Sequence, residues 1–150
     1  MTSFAWPEAY LRAVSRRREL ERIAIEHNGP IYVTYLDALG HYGLVTDVPD
    51  GLQCATLADS CVMETPAGTM ERYALPEDLF FGYSEAGGTP LADPEKAVVD
   101  GIWIDEQEGR VPYWLENLDL AGLDRDRLLS YAETMGITDI EQYLGLSRIS

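Results

Sequence analysis

Between residues 52 and 73 the chain breaks into three short runs, LQCATLA, CVMET and TMERY, parted by Asp59-Ser60 and by Pro66-Ala67-Gly68. Turn formers at that spacing leave no room for a helix of useful length, and the runs between them tolerate extended backbone. A small antiparallel β-meander over about residues 52–73 is the expectation. Both flanks read as helix, and regular strand–helix alternation, which parallel βαβ units require, is missing. The fold class predicted is therefore α+β, with the meander packed against N-terminal and C-terminal helices. At 150 residues and 46% apolar content, residues 1–150 are expected to form one domain around one core, without help from metal or disulfides. No internal repeat, low-complexity tract or linker interrupts it.

The flanks carry their own start and stop signals. Residues 1–28 predict an amphipathic helix, with Pro7 in the first turn and Tyr10, Ala13, Val14, Arg17, Leu20, Ile23 and Ala24 at three- and four-residue intervals, ending near His27-Asn28-Gly29-Pro30. Ile31 to Val33 reads as a short extended piece, Thr34 as a cap, and Tyr35 to Tyr42 as a short helix stopped by Gly43. A helical turn is expected at Pro76 to Leu79, followed by the aromatic pair Phe80 and Phe81, and SEAGGTP is read as a loop. Asp93 can cap, Pro94 suits the first helical position and Glu95 faces the positive end of the dipole, which predicts a helix from Pro94 to about Ile104. Its buried side is expected to hold Ala97, Val98, Gly101, Ile102 and Trp103. Helices over Pro112 to Leu118, Asp124 to Met135 and Thr138 to Leu144 complete the reading.

The formal net charge is −15, and it is unevenly spread. Residues 1–28 carry five arginines against four glutamates, +1, which leaves −16 for the rest of the chain. So acidic a body repels phosphate backbones and favours basic partners. The arginines Arg12, Arg16, Arg17, Arg18 and Arg22 of the first helix are expected to dock onto that body or onto a second copy rather than onto nucleic acid. No apolar run approaches a membrane span and no secretory signal pattern is present, so the expectation is a cytoplasmic protein without membrane contact. Cys54 and Cys61, on what read as neighbouring strands, are expected to be reduced and buried.

Chemistry is sparse. His27 and His41 have no second His or Cys at ligand spacing, and no nucleophile-elbow, phosphate-loop, HExxH or calcium-loop motif occurs. Asp105, Glu106 and Glu108 make an acidic corner that a divalent ion would suit, but a solvated loop is the better reading. Lys96 is the single lysine, four residues before Asp100 on one helix face. As an exposed pair the two are worth about 0.3–0.5 kcal/mol, so Lys96→Ala should do little, whereas Val98→Asp should unfold the domain. Neither catalytic residue, metal ligand nor cofactor is assigned, and the chain is read as not an enzyme.

The order of segments carries a resemblance. PIYVTYLDALGHYGLVTDVP, then ETPAGTMERYALPEDLFFGY, then GTPLADPEKAVVDGIWI is similar to the antitoxin and regulator family typified by AbiEi, from bacterial abortive-infection (type IV toxin–antitoxin) systems. The residues that match its motifs are Tyr32, Val33, Thr34, Ala38, Leu39, Gly43 and Leu44; Thr65, Pro66, Gly68 and Thr69; Leu79, Phe80, Phe81 and Gly82; and Ala92, Pro94, Glu95, Lys96, Ala97 and Asp100. Similarity extends over residues 30–145. It implies a non-catalytic antitoxin or regulatory domain in phage defence, counteracting a nucleotidyltransferase-like toxin without necessarily touching it. Where the family commonly carries a winged helix-turn-helix, residues 1–29 read as one helix, so specific DNA binding by this chain alone is not expected. Two other readings stand beside it: an acidic interaction module for a basic protein, and a metal-assisted enzyme built around Asp105.

Overall fold

The computed structural model describes residues 8–26, 30–46, 48 and 50–147. Pro7 and His27, and the side chains of Tyr10, Ala13 and Val14, lie outside the described residues. The first helix, α1 (Glu8–Glu26), runs into β1 (Ile31–Val33), α2 (Tyr35–His41), β2 (Leu52–Thr56), β3 (Cys61–Thr65) and β4 (Gly68–Ala74). A 3-10 turn over Glu77–Leu79 leads to β5 (Tyr83–Ala86), β6 (Thr89–Ala92) and the long helix α3 (Pro94–Glu108). Two further 3-10 turns, Tyr113–Asn117 and Leu120–Gly122, precede α4 (Arg125–Thr134) and α5 (Ile140–Ser147).

The strands form one six-stranded mixed sheet in the order β3-β4-β2-β1-β6-β5. Mixed α and β structure was legible, but the purely antiparallel meander over 52–73 is corrected. β4 pairs antiparallel with β3, and then inserts beside β2 in parallel, Leu52 opposite Met70 and Thr56 opposite Ala74. Burial explains the insertion. β4 carries Met70 and Arg72, both buried, and goes inside; β3, with Cys61, Val62 and Glu64 exposed, takes the edge. All five residues of β2 are buried, as a strand flanked on both sides requires. The segment SEAGGTP, expected as a loop, makes the β5–β6 hairpin around Gly87-Gly88, and β6 pairs in parallel with β1.

Tyr32, Ala55 and Tyr73 stand in register across β1, β2 and β4, so their side chains leave the same face; Cys54, Arg72 and Cys61 make up the following row on the opposite face. Cys54 and Cys61 therefore flank Arg72 from two different strands rather than neighbouring ones. Two strand spacings put their Cα atoms roughly 10 Å apart, beyond the ~7 Å that a disulfide spans. Both thiols are free, and Cys61 is exposed where burial was expected.

α3 is longer than its sequence signal: it continues past Ile104 to Glu108 and ends at Gly109, whose φ of 69° forms the left-handed stop. Where a helix over Pro112 to Leu118 was expected, the chain makes the 3-10 turn Tyr113–Asn117. Ala38 and Leu39 of α2 are fully buried in the core shared with Ala97, Val98 and Ile102 of α3. Among the described residues no helix is long and apolar enough to cross a membrane.

Candidate functional site

The chemistry-bearing side chains gather where α3 crosses the face of β1. Four residues apart on α3, Lys96 and Asp100 project from the same side, and both are 0% exposed. The sequence reading of an exposed, marginal pair is corrected. Its neighbours are the cause: Ala97, Val98, Val99, Gly101 and Ile102 are all buried, so the helix is wrapped by core on every side at this level.

Each polar atom of the pair is satisfied. Lys96 Nζ donates to Asp100 Oδ1 at 2.5 Å, to Tyr32 Oη at 2.9 Å and to the Leu79 carbonyl at 2.9 Å. Asp100 Oδ2 accepts from Tyr32 Oη at 2.7 Å and from Thr34 Oγ1 at 2.8 Å. Thr34 was expected to cap α2. It occupies the cap position with no side-chain cap bond, because its hydroxyl is turned to Asp100. Burial pushes the Lys96 ammonium down and the Asp100 carboxyl up from their ordinary values, while the attraction between them opposes both shifts. Burial, then Asp100, drive the Tyr32 phenol far above its usual range.

Aromatic rings close the site. Tyr83 stacks on Tyr32 with centroids 4.7 Å apart and Phe80 meets the same ring edge-on at 4.8 Å. Lys96 Nζ lies 4.5 Å from the centroid of Phe81, which in turn abuts Tyr131 of α4 at 5.2 Å. Gly82 makes the close approach possible. Its φ is +75°, and a Cβ there would sit 2.9 Å from Lys96 Cγ. Asp93, the expected cap of α3, makes no side-chain cap bond; its carboxylate accepts from Tyr131 Oη at 2.8 Å.

The motif residues thus divide between one cluster and several separate places. Tyr32, Thr34, Phe80, Phe81, Gly82, Lys96 and Asp100 converge on one cluster. Pro94 starts α3 and Glu95 is buried beside it, accepting from the Asp124 amide at 2.9 Å and so fixing the start of α4. Ala38 and Leu39 pack in the core, Gly43 follows α2 with φ +74°, and Pro66 and Gly68 sit at the β3–β4 turn, apart from the cluster.

Two further polar networks have partners that the sequence did not name, the first of them the expected docking of an α1 arginine onto the acidic body. Arg17 of α1 reaches the body of the protein, pairing with Asp37 at 2.6 Å and donating to the Gly51 carbonyl at 2.8 Å. Asp37 is buried, and accepts from the Gln53 amide at 3.1 Å. Burial raises its pKa and Arg17 opposes the rise. Arg16 and Arg17 line a cleft of about 380 Å³ against Asp37 and Asp50. Arg22, by contrast, pairs within its own helix with Glu19 and Glu26. The expected acidic corner also changes character: Asp105, Glu106 and Glu108 lie inside α3, and Asp105 is buried, accepting from Tyr35 Oη and from Trp114 Nε1 and pairing with Arg110 at 3.3 Å. Tyr35 holds φ +62°, a left-handed conformation for a non-glycine residue that these contacts and its ring neighbours Tyr73 and Trp114 maintain. Glu106 and Glu108 are exposed. Among the described residues no three His, Cys, Asp or Glu side chains are grouped to hold a metal ion.

Comparison with protein-family models, with curated proteins and with solved structures finds no match to this chain.

Proposed function

We propose that this chain is a non-catalytic antitoxin-like or regulatory domain of the AbiEi type, counteracting a nucleotidyltransferase-like toxin. One observation carries the reading. Residues that match the family's motifs from three separate segments, Tyr32 and Thr34, Phe80 to Gly82, and Lys96 with Asp100, meet in one closed network. The network also favours a structural role over a reactive one, because every donor of Lys96 is already taken by an internal acceptor.

The test is co-expression. A nucleotidyltransferase-like toxin encoded beside this reading frame is induced alone and together with the chain, and the chain is expected to relieve the growth arrest. Absence of relief at verified expression overturns the reading. At physiological salt no specific electrophoretic shift of DNA is expected.

A second reading is favoured by the net charge of −15: an acidic module that docks a basic protein. Its signature is binding that weakens steeply with added salt, since attraction between surface charges is screened over about 8–10 Å.

A further inference from the structure

The edge of the sheet at β3 has the properties of a docking strand, and we infer that it accepts an extended, basic segment of another protein as a seventh strand. This deepens the reading of the chain as an acidic docking module by naming the surface.

Three observations support it. First, β3 ends the strand order, so the backbone groups on its outer side have no partner strand among the described residues. Proteins usually guard such an edge with lysine, proline or a bulge. Cys61–Thr65 contains no lysine, proline or bulge, its single charge being Glu64, and pairs with β4 in an unbroken register from Cys61 opposite Arg72 to Thr65 opposite Gly68. Second, the edge is apolar where it is most exposed. Val62 is 68% exposed near the middle of the strand. Third, the exposed charge on the strand and its neighbour β4 has one sign, Arg16 and Arg17 of α1 lying in the cleft at the residue 67–69 end. Between residues 57 and 75 the exposed or half-exposed charges are Asp59, Glu64 and Glu71, and the single cation, Arg72, is buried.

Alternation specifies the occupant. Val62 and Glu64 share a face with Glu71, while Cys61 and Met63 share the other with Arg72. An added strand therefore presents a β-branched or aromatic side chain beside Val62, a Lys or Arg two residues away beside Glu64, and an apolar side chain between them against Cys61 and Met63. A second copy of the chain fits worse, since it brings another −15 and, from this edge, no exposed cation. The opposite edge, β5, is shorter, and its Tyr83 ring is committed to Tyr32.

The probe is a capped seven-residue peptide of valines with one lysine at its fifth position, so that the third valine lies beside Val62 and the lysine beside Glu64, compared with the same peptide carrying glutamate in place of lysine, each titrated into the full chain with amide NMR and hydrogen exchange as readouts. The lysine peptide is expected to bind, to shift the amides of residues 61–65 and to slow their exchange, and the glutamate peptide is not. Val62→Lys is expected to weaken binding about fivefold, and Glu64→Lys to invert the preference between peptides. Both positions are exposed, so the variants keep the fold, checked by circular dichroism. Binding with the residue 61–65 amides untouched, or unaffected by both substitutions, overturns this surface while leaving the acidic-module reading intact. Failure of both peptides to bind overturns it too. So does a concentration-dependent dimer of the unmodified chain that Val62→Lys abolishes, which assigns the edge to a second copy.

Discussion

Removing the ammonium from the Lys96–Asp100 pair is the most direct test of the buried network. Lys96→Met keeps most of the apolar stem and deletes the charge, leaving Asp100 at 0% exposure with only the Tyr32 and Thr34 hydroxyls as donors. Stranding one partner of a buried pair costs about 3–5 kcal/mol. Lys96→Ala also removes three buried methylenes, worth roughly 2 kcal/mol more. Set against a typical total of about 5–15 kcal/mol, the alanine variant sits at the edge of unfolding. The double replacement Lys96→Met with Asp100→Asn keeps a carbonyl for Tyr32 and Thr34 and leaves no charge, so it should recover most of the loss. Urea titrations followed by Trp fluorescence and circular dichroism supply the cycle. The sign of the pH effect is also fixed. Burial raises the Asp100 pKa, so the folded state holds that proton more tightly than the unfolded chain does in the interval above the ordinary carboxylate value. The deficit of Lys96→Met should therefore shrink as pH falls from 7 towards 4. Two small, additive single-variant losses, each under about 1 kcal/mol, would refute the buried-pair account.

Other substitutions probe the supports of this network. Gly82→Ala places a Cβ 2.9 Å from Lys96 Cγ at a φ of +75°, and should cost about 1–3 kcal/mol in the same titration. Arg17→Ala strands the Asp37 carboxylate, 5% exposed, and should cost about 1–3 kcal/mol while pushing the Asp37 titration, read by carboxyl NMR, further up; Arg22→Ala, which breaks only exposed pairs within α1, should stay within about 0.5 kcal/mol. With iodoacetamide at pH 8, Cys61 should label in the native protein and Cys54 only on unfolding, because burial pushes the Cys54 thiol up to about 12. A raised folded pKa gives stability that is complete below the unfolded value of 9.0 and is lost as pH rises towards 12. Cys54→Ala should accordingly flatten the alkaline limb of the stability profile.

Local signals in the sequence were read well where one residue decides one event. Pro94 takes the first position of α3, where Asp93 makes no cap bond, and Asp124 caps α4 with its side chain on the Arg127 amide. What failed was non-local. The insertion of β4 between β2 and β3 depends on which strand has more surface to bury, and a turn signal is silent on that point. The β5–β6 hairpin did leave a trace, a two-glycine turn between equal four-residue arms, but YSEA and TPLA lack the alternation that marks a half-buried strand. The burial of Lys96 and Asp100 was legible too. AVVDGIWI encloses Asp100 in apolar residues on every helical face, a pattern that belongs to a core helix rather than an amphipathic one. Reading the pair by its i, i+4 spacing alone missed the surroundings that set its energy. The Arg17–Asp37–Gln53 chain left no trace, since its members are 16 or more residues apart and each is of an ordinary surface type.

A functional consequence follows from the closed network. A lysine whose donors are held by Asp100, Tyr32 and a backbone carbonyl, beside the rings of Phe81 and Tyr32, has no free direction from which to meet a substrate. On the proposed reading, the cluster joins β1, the Leu79–Gly82 turn and α3, and activity resides on the exterior that this joint holds in place. The double variant Lys96→Met with Asp100→Asn separates the two roles. On the proposed antitoxin reading, the double variant, once shown to be folded by near-UV circular dichroism, should relieve growth arrest to the same extent as the parent chain does in the co-expression test. A folded double variant that has lost relief would place the pair in the working surface and would falsify the scaffold assignment. Retained relief together with loss in Val62→Lys would locate the activity at the sheet edge.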